Sequence, residues 1–371
     1  MKLAFLKKQW KRILTITLFV VLALVSLEIG VMSDVGLGSM FTGAQMRELE
    51  AQIEHLTYAM YGEADNDAWL SLHRERADAQ SELDRLENQR AVFIYSRLPR
   101  LFAVILSAAG LSVAGLLMQA ISRNKFMSPT TAGTIDAAAL GMLIGVLFFG
   151  SWPAIAQAGL AFVFALLATM LFMSVISRLK LREVAYIPLL GLLFGGLIEA
   201  ISTAIGFRSA LTPILIAFNT ASFARLGNFE MVYIVIIPLI LAIIFATKFS
   251  IIGLGEDFAK NLGLNYKRVV FLGLVIIALI SASTFVAIGP LPFVGLIIPN
   301  MATSFYGDNL KKSIFDLMAF GATFVLLCDI VSRLIIYPFE MPVGVTVSII
   351  GGIVFLIYLI RGMRRGKAKA T

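Results

Sequence analysis

Apolar stretches about 20 residues long, the length a helix needs to cross the hydrocarbon of a bilayer, recur along almost the whole of this chain. No other feature constrains its fold more. A backbone inside lipid has no water to satisfy its N–H and C=O groups, so only helices or closed barrels can cross. The runs are too long for barrel strands, and the fold class they predict is all-α, a polytopic membrane protein. A hydrophobic share of 59% with only 15% charged residues points the same way. Ten spans are expected, over 13–30, 101–121, 131–149, 154–176, 186–206, 231–248, 269–288, 291–305, 313–331 and 343–360.

An even number of spans puts both termini on one side, and charge says which. The formal net charge of +8 is not spread as on a nucleic-acid surface. It gathers at the two ends, with Lys7, Lys8, Lys11 and Arg12 before the first run and Arg361, Arg364, Arg365, Lys367 and Lys369 after the last. The connections on the same side are also basic: Arg123 and Lys125; Arg178, Lys180 and Arg182; Lys260, Lys267 and Arg268; Lys311 and Lys312. This is the positive-inside pattern, so the expected location is the cell membrane with both termini cytoplasmic. The first run is longer than a signal-peptide core and lacks a convincing small-x-small cleavage site, which predicts a retained helix. Four segments follow: 1–30, the N-terminal tail and first span; 31–96, an extracytoplasmic insertion; 97–360, a core of nine spans; and 361–371, a basic tail.

The insertion holds twelve acidic residues against five arginines and belongs in water. Leu49, Ile53, Leu56 and Met60 recur at helical spacing, as do Leu83 and Leu86, and Gly62–Asp67 reads as a turn between them. A helical hairpin is expected, either a solvated spacer or a contact surface for a docking protein. Its His55 and His73 lack a cysteine partner and make a poor metal site. Cys328, the single cysteine, reads as a packing residue. Glu199 and Asp136 fall within spans, where a charged group is costly and hence a functional candidate; for Glu199 the favoured reading is structural, a pair with a hydroxyl or amide of a neighbouring helix, over lining the pathway. No catalytic constellation, metal site or cofactor is expected.

Arg97-Leu98-Pro99-Arg100, then Asn124-Lys125-Phe126-Met127-Ser128-Pro129, then GPLPFVGLIIPN (Gly289 to Asn300) and DIVSRLIIYPFEMPVG (Asp329 to Gly344) follow in order along the chain. Together they resemble the iron-siderophore and cobalamin (FecCD/BtuC-like) family of ABC importer permeases, from about Arg97 to Arg361. The resemblance implies ten helices per subunit (a type II ABC importer permease fold) and transport of a ferric siderophore with no enzyme activity of the chain's own. It also implies partners: a second permease subunit, a paralogue rather than an identical copy; two copies of an ATP-binding subunit; an extracytoplasmic siderophore-binding lipoprotein or periplasmic protein; and membrane lipid, but no nucleic acid. The chain has no GxxxxGK[ST] phosphate loop, so ATP hydrolysis falls to a separate subunit.

Site residues carry over position by position. Arg97, Arg100 and Arg333 match arginines that meet acidic residues of the binding protein, a task for which a guanidinium suits carboxylate pairing; for Arg333 an internal pair with Asp329 or Glu340 is the alternative. Gly253 to Asn265 resembles the family's coupling helix. Gly255 and Gly263 allow sharp turns about a short amphipathic helix in which Phe258 and Leu262, with Ala259, face an ATPase while Glu256 and Lys260 stay wet. Asn124 and Phe126, with Val184 and Ala185, match the inner gate. Asn300, where many relatives carry histidine, and Asp136 are associated with the catecholate or petrobactin-type branch. Haem or cobalamin import stays open as a cargo. An ion-coupled secondary transporter built on Glu199 and Asp136 is the alternative from another class.

Overall fold

The computed structural model of the chain describes residues 2–30, 35–178, 186–224, 230–306 and 310–370. The main elements are α1 (Lys2–Glu28), α2 (Gly43–Gly62), α3 (Asn66–Val92), α4 (Leu98–Ser122), α5 (Thr134–Phe149), α6 (Ala154–Arg178), α7 (Tyr186–Arg208) and α8 (Thr212–Asn219). They continue as α9 (Glu230–Tyr233), α10 (Ile236–Ile244), α11 (Ala246–Ile252), α12 (Glu256–Asn261), α13 (Tyr266–Ile288), α14 (Val294–Tyr306), α15 (Leu310–Leu334) and α16 (Val343–Ala370). Packing divides the chain into two units, Ala23–Phe102 and Met1–Leu22 with Ala103–Thr371.

The unit Ala23–Phe102 is built on a helical hairpin. Helices α2 and α3 pack side by side, joined by the polar turn at Glu63–Asp65, where Glu63 and Asp65 are extended. Leu56 on α2 and Ala79 and Leu83 on α3 are buried, and Leu49, Ile53 and Leu86 are half-buried along the same stripes. The acidic side chains lie outside that seam, as the helical spacing of the leucines requires. A single π-helical turn, Phe93–Arg97, then leads into α4. It buries Phe93 completely.

The second unit is a bundle of apolar helices. Among the described residues, seven helices of the chain are long and apolar enough to cross a membrane, and the pair Met231–Ile244 and Ala246–Ile252 makes an eighth if counted as one span bent by 66°. Two of the expected spans, 131–149 and 291–305, form helices of only 16 and 13 residues. Each is preceded by a turn that consumes its first residues. Gly133 adopts the left-handed conformation before α5, while Pro290, Pro292 and a left-handed Phe293 (φ 64°) delay α14, since proline offers no N–H to a helix.

Helix α13 is central, packing on α5, α6, α9, α10 and α11. Its apolar window is 67% buried, against 11% for α1. The core between α5, α6 and α13 is made of small residues around a few large ones: Ala138, Ala139, Ala161, Ala165, Ala278 and Ala282 with Met142 and Phe285. Small side chains let helices approach closely, which is how helices associate where lipid removes the usual hydrophobic gain. Helices α4 and α14 cross closely, and a Cβ on Gly115 would stand 1.9 Å from the Gly295 carbonyl oxygen. Large apolar side chains face outward along the outer helices, among them Leu167, Leu171, Leu193, Leu197, Ile240 and Ile244. Lipid is the solvent such surfaces fit.

Candidate functional site

The segment between α11 and α13 is built for display. Gly255, at φ 119°, and Gly263, at φ 75°, bracket α12 in conformations that a side chain would strain. The single turn and a half of α12 is anchored by Ala259, which is fully buried, while the backbone closes behind it: Gly263 N–H donates to the Lys260 carbonyl at 2.9 Å and Leu264 N–H to the Ala259 carbonyl at 3.0 Å. Leu254, Phe258 and Leu262 are 65%, 48% and 55% exposed. Glu256 and Lys260 pair at 2.9 Å on the helix surface. That hydrogen bond, and then the ammonium charge, hold the Glu256 carboxyl below its ordinary range, with Lys267 and Arg123 adding to the effect. The Asn265 side chain caps α13 by accepting from Arg268 N–H at 3.2 Å. A recess of 680 Å³ beside α12 is bordered by Arg123, Glu256, Tyr266 and Lys267, with Met173 and Phe271 among its apolar walls.

The turn after α4 stands next to this segment. Asn124 is buried and organises it: its N–H donates to the Gln119 carbonyl at 3.1 Å, and its side-chain oxygen accepts from Phe126 N–H at 2.9 Å. The Ser128 hydroxyl lies within hydrogen-bonding distance of those of Thr130 and Thr131, at 2.8 and 3.1 Å. Phe126 is 36% exposed. Asn300 on α14 reaches this turn, donating to the Lys125 carbonyl at 2.7 Å and to the Leu296 carbonyl of its own helix at 2.8 Å. Of the four residues expected at the inner gate, Asn124 and Phe126 therefore share one turn; Val184 and Ala185 lie outside the described residues.

The three arginines expected to dock a partner sit in different surroundings. Arg97 is buried and donates from one nitrogen to the Leu27 and Glu28 carbonyls at 2.7 and 2.8 Å. These are carbonyls at the end of α1, where no intrahelical donor remains and a cation is favoured. Gly30 leaves the room for it, since a Cβ there would lie 2.6 Å from the guanidinium. Arg100, one turn into α4, is half-buried. Arg333 is buried on α15 and pairs with Asp329 one turn earlier, itself fully buried. The internal alternative for Arg333 is thus realised with Asp329. Sequence reading missed the capping role of Arg97, the tie made by Asn300, and the clamp of α1 by Arg12, whose guanidinium meets Asp316 at 2.6 Å. Glu199 is exposed on α7 and acts electrostatically on Asp136 of α5.

The comparisons with known proteins fall on these same segments. The family model described as the FecCD transport family matches residues 56–361. The chain belongs to the FecCD transport family. It is 44% identical over 283 residues to the petrobactin import system permease protein YclN of Bacillus subtilis, covering 76% of this chain and 90% of that protein. It is 34% identical to the ferric-anguibactin transport system permease protein FatD of Vibrio anguillarum, covering 73% of this chain and 87% of that one. Among solved structures, a metal-chelate-type ABC transporter in an inward-facing conformation superposes with a TM-score of 0.69 at 20% identity, covering 95% of this chain and 99% of the other. Resemblance of fold is what so distant a match carries. As a FecCD-family chain with spans of this kind, the protein is a multi-pass membrane protein, a transport subunit rather than an enzyme.

Proposed function

We propose that this chain is the membrane-spanning permease subunit of an ATP-driven importer, and that its cargo is a ferric siderophore handed over by an extracytoplasmic binding protein. The observation that carries the reading is the α12 segment. Phe258 on the six-residue α12, with Leu254 just before the helix and Leu262 at its C-terminal cap, stands in solvent, and together they form a surface that needs a partner. In a family of ABC importer permeases that partner is the ATPase. The cargo follows from the relatives, named for petrobactin and ferric-anguibactin. In this reading the chain crosses the membrane ten times, with α5 and α14 as short crossings, both termini in the cytoplasm and the α2–α3 hairpin outside. A paralogous second permease and two ATPase copies complete the assembly.

Docking of the binding protein falls first to Arg100. Arg97 and Arg333, buried where Arg100 is half-buried, support it by holding their helix ends in place. The turn at Asn124 and Phe126, closed by Val184 and Ala185, is the inner gate. The test is uptake of radiolabelled ferric catecholates into proteoliposomes holding the permease pair, its ATPase and its binding protein. ATP-dependent accumulation that stops when the ATPase is omitted supports the proposal. Accumulation that follows an imposed proton or sodium gradient without ATPase would replace it with a secondary transporter using Glu199 and Asp136.

A further inference from the structure

The turn from Arg123 to Ala132 is held on three sides, by different kinds of contact. Toward α14 it is fastened by the Asn300 amide on the Lys125 carbonyl and by Pro129, whose Cδ would lie 3.1 Å from a Cβ on Gly295. Toward α7 the approach is closer still: a Cβ on Gly191 would stand 1.8 Å from the Thr131 carbonyl oxygen. The approach to α7 cannot be altered without moving main chain. Toward α12 the arrangement differs. Arg123, itself left-handed at φ 50°, lays its guanidinium against Gly255, where a Cβ would lie 3.4 Å from Nη1. Its charge also reaches the Glu256 carboxylate. This contact borders the 680 Å³ recess rather than a packed core, so it can adjust where the backbone approach to α7 cannot.

We propose that Arg123 is the positioning residue that joins the coupling helix to the gate turn, so that a displacement of α12 is delivered to α7 and α14 through it. The inference rests on the importer reading above. A positively charged loop residue has a simpler use, fixing topology. The two roles differ in what they predict. Loss of topology removes working complexes, so ATP hydrolysis and uptake fall together. Loss of a mechanical link lets hydrolysis continue while uptake fails.

The experiment measures ATP hydrolysed per chelate imported by the reconstituted complex, with ferric catecholate as the probe. Arg123→Ala and Arg123→Gln are expected to raise that ratio at least about tenfold, within the range usual for coupling between sites. Arg123→Lys, which keeps the charge, should recover most of the loss. Lys125→Ala should leave the ratio unchanged, because Lys125 contributes its carbonyl to the turn. If Arg123→Ala does not assemble, Arg123→Gln, of similar reach, carries the test. An unchanged ratio in the assembled variants, or an equal rise in Lys125→Ala, overturns the proposal. Absence of ATP-dependent uptake by the unsubstituted complex would instead overturn the importer reading itself.

Discussion

The coupling segment and the docking arginines were both expected to face partners, yet the chain uses them in opposite ways. At α12 the side chains expected to meet a partner are left in solvent, and the residues that fix their geometry are others: buried Ala259, the two left-handed glycines and the Asn265 cap. At Arg97 and Arg333 the residues expected to function are themselves fixing geometry, one on helix-end carbonyls and one against a buried carboxylate. A partner surface is cheap to present when rigidity is supplied elsewhere. A buried guanidinium cannot be presented without first losing the bonds it makes, so under the proposed function those two arginines would support docking through the frame they hold.

The largest effect should come from the buried end of that comparison. Asp329→Ala removes the buried carboxylate that pairs with Arg333 on α15, and removing one partner of a buried ion pair costs about 3–5 kcal/mol. Thermal denaturation in detergent should register this as a large drop in midpoint, with little folded protein recovered. If Asp329→Ala is tolerated, Arg333 is free to serve a partner directly and the contrast drawn here dissolves.

Next comes the exposed end. Phe258→Asp with Leu262→Asp leaves the fold intact, since both side chains are about half exposed, but places two carboxylates where an apolar partner surface is proposed. Uptake should fall by about a hundredfold, the loss expected when central anchors of an interface are removed. The ATPase should also cease to co-purify. Unchanged thermal stability alongside that loss would separate contact from scaffold, whereas co-purification at normal yield would remove α12 from the ATPase interface.

Arg97 and Arg100 sharpen the comparison because they lie one turn apart. Arg97→Ala breaks two charge-assisted hydrogen bonds to the end of α1 and should cost about 2 kcal/mol of stability, with uptake per folded molecule preserved. Arg100→Ala should act on the partner: about a tenfold rise in the binding-protein concentration needed for half-maximal uptake by the folded molecule, as for loss of one charged interface contact. Identical phenotypes for the two substitutions would mean that both act on the scaffold or both on the partner.

Parts of the molecule that depend on neighbours in sequence could be read from sequence, and parts that depend on distant groups could not. The hairpin follows from leucines three and four residues apart, and α12 from two glycines and an i,i+4 pair. Its bracket of Gly255 and Gly263 was legible because the conformations they allow are local. The Arg97 cap joins groups 70 residues apart, and the Asn300 tie spans 175 residues. Neither leaves a local signature. The shortness of α14 was missed: the expected span began at 291, and neither Pro290 and Pro292 nor the left-handed Phe293 that hold the helix back to Val294 entered that reading.

The smallest effect is expected at the Glu256–Lys260 pair. Its side chains are 43% and 61% exposed, respectively, where solvent screens an ion pair and side-chain entropy offsets it. Glu256 titrates below its ordinary 4.5 because of the Lys260 hydrogen bond first and the Lys260 charge second. A carboxyl with a depressed folded pKa contributes stability that is present above its unfolded pKa and lost as pH falls through the folded one. Near neutral pH the pair is therefore fully formed, and acid weakens it only below the ordinary carboxylate range. Lys260→Ala should move the Glu256 titration upward, followed by NMR of a side-chain-labelled sample, while uptake at neutral pH stays within about twofold of normal, as for a typical surface pair. Should Lys260→Ala instead abolish uptake as completely as the Phe258 and Leu262 substitutions, the charged side of α12 belongs to the partner surface too. The helix would then present its whole circumference apart from Ala259, and a groove closed around it, rather than a flat apolar patch beneath it, would be the partner to look for.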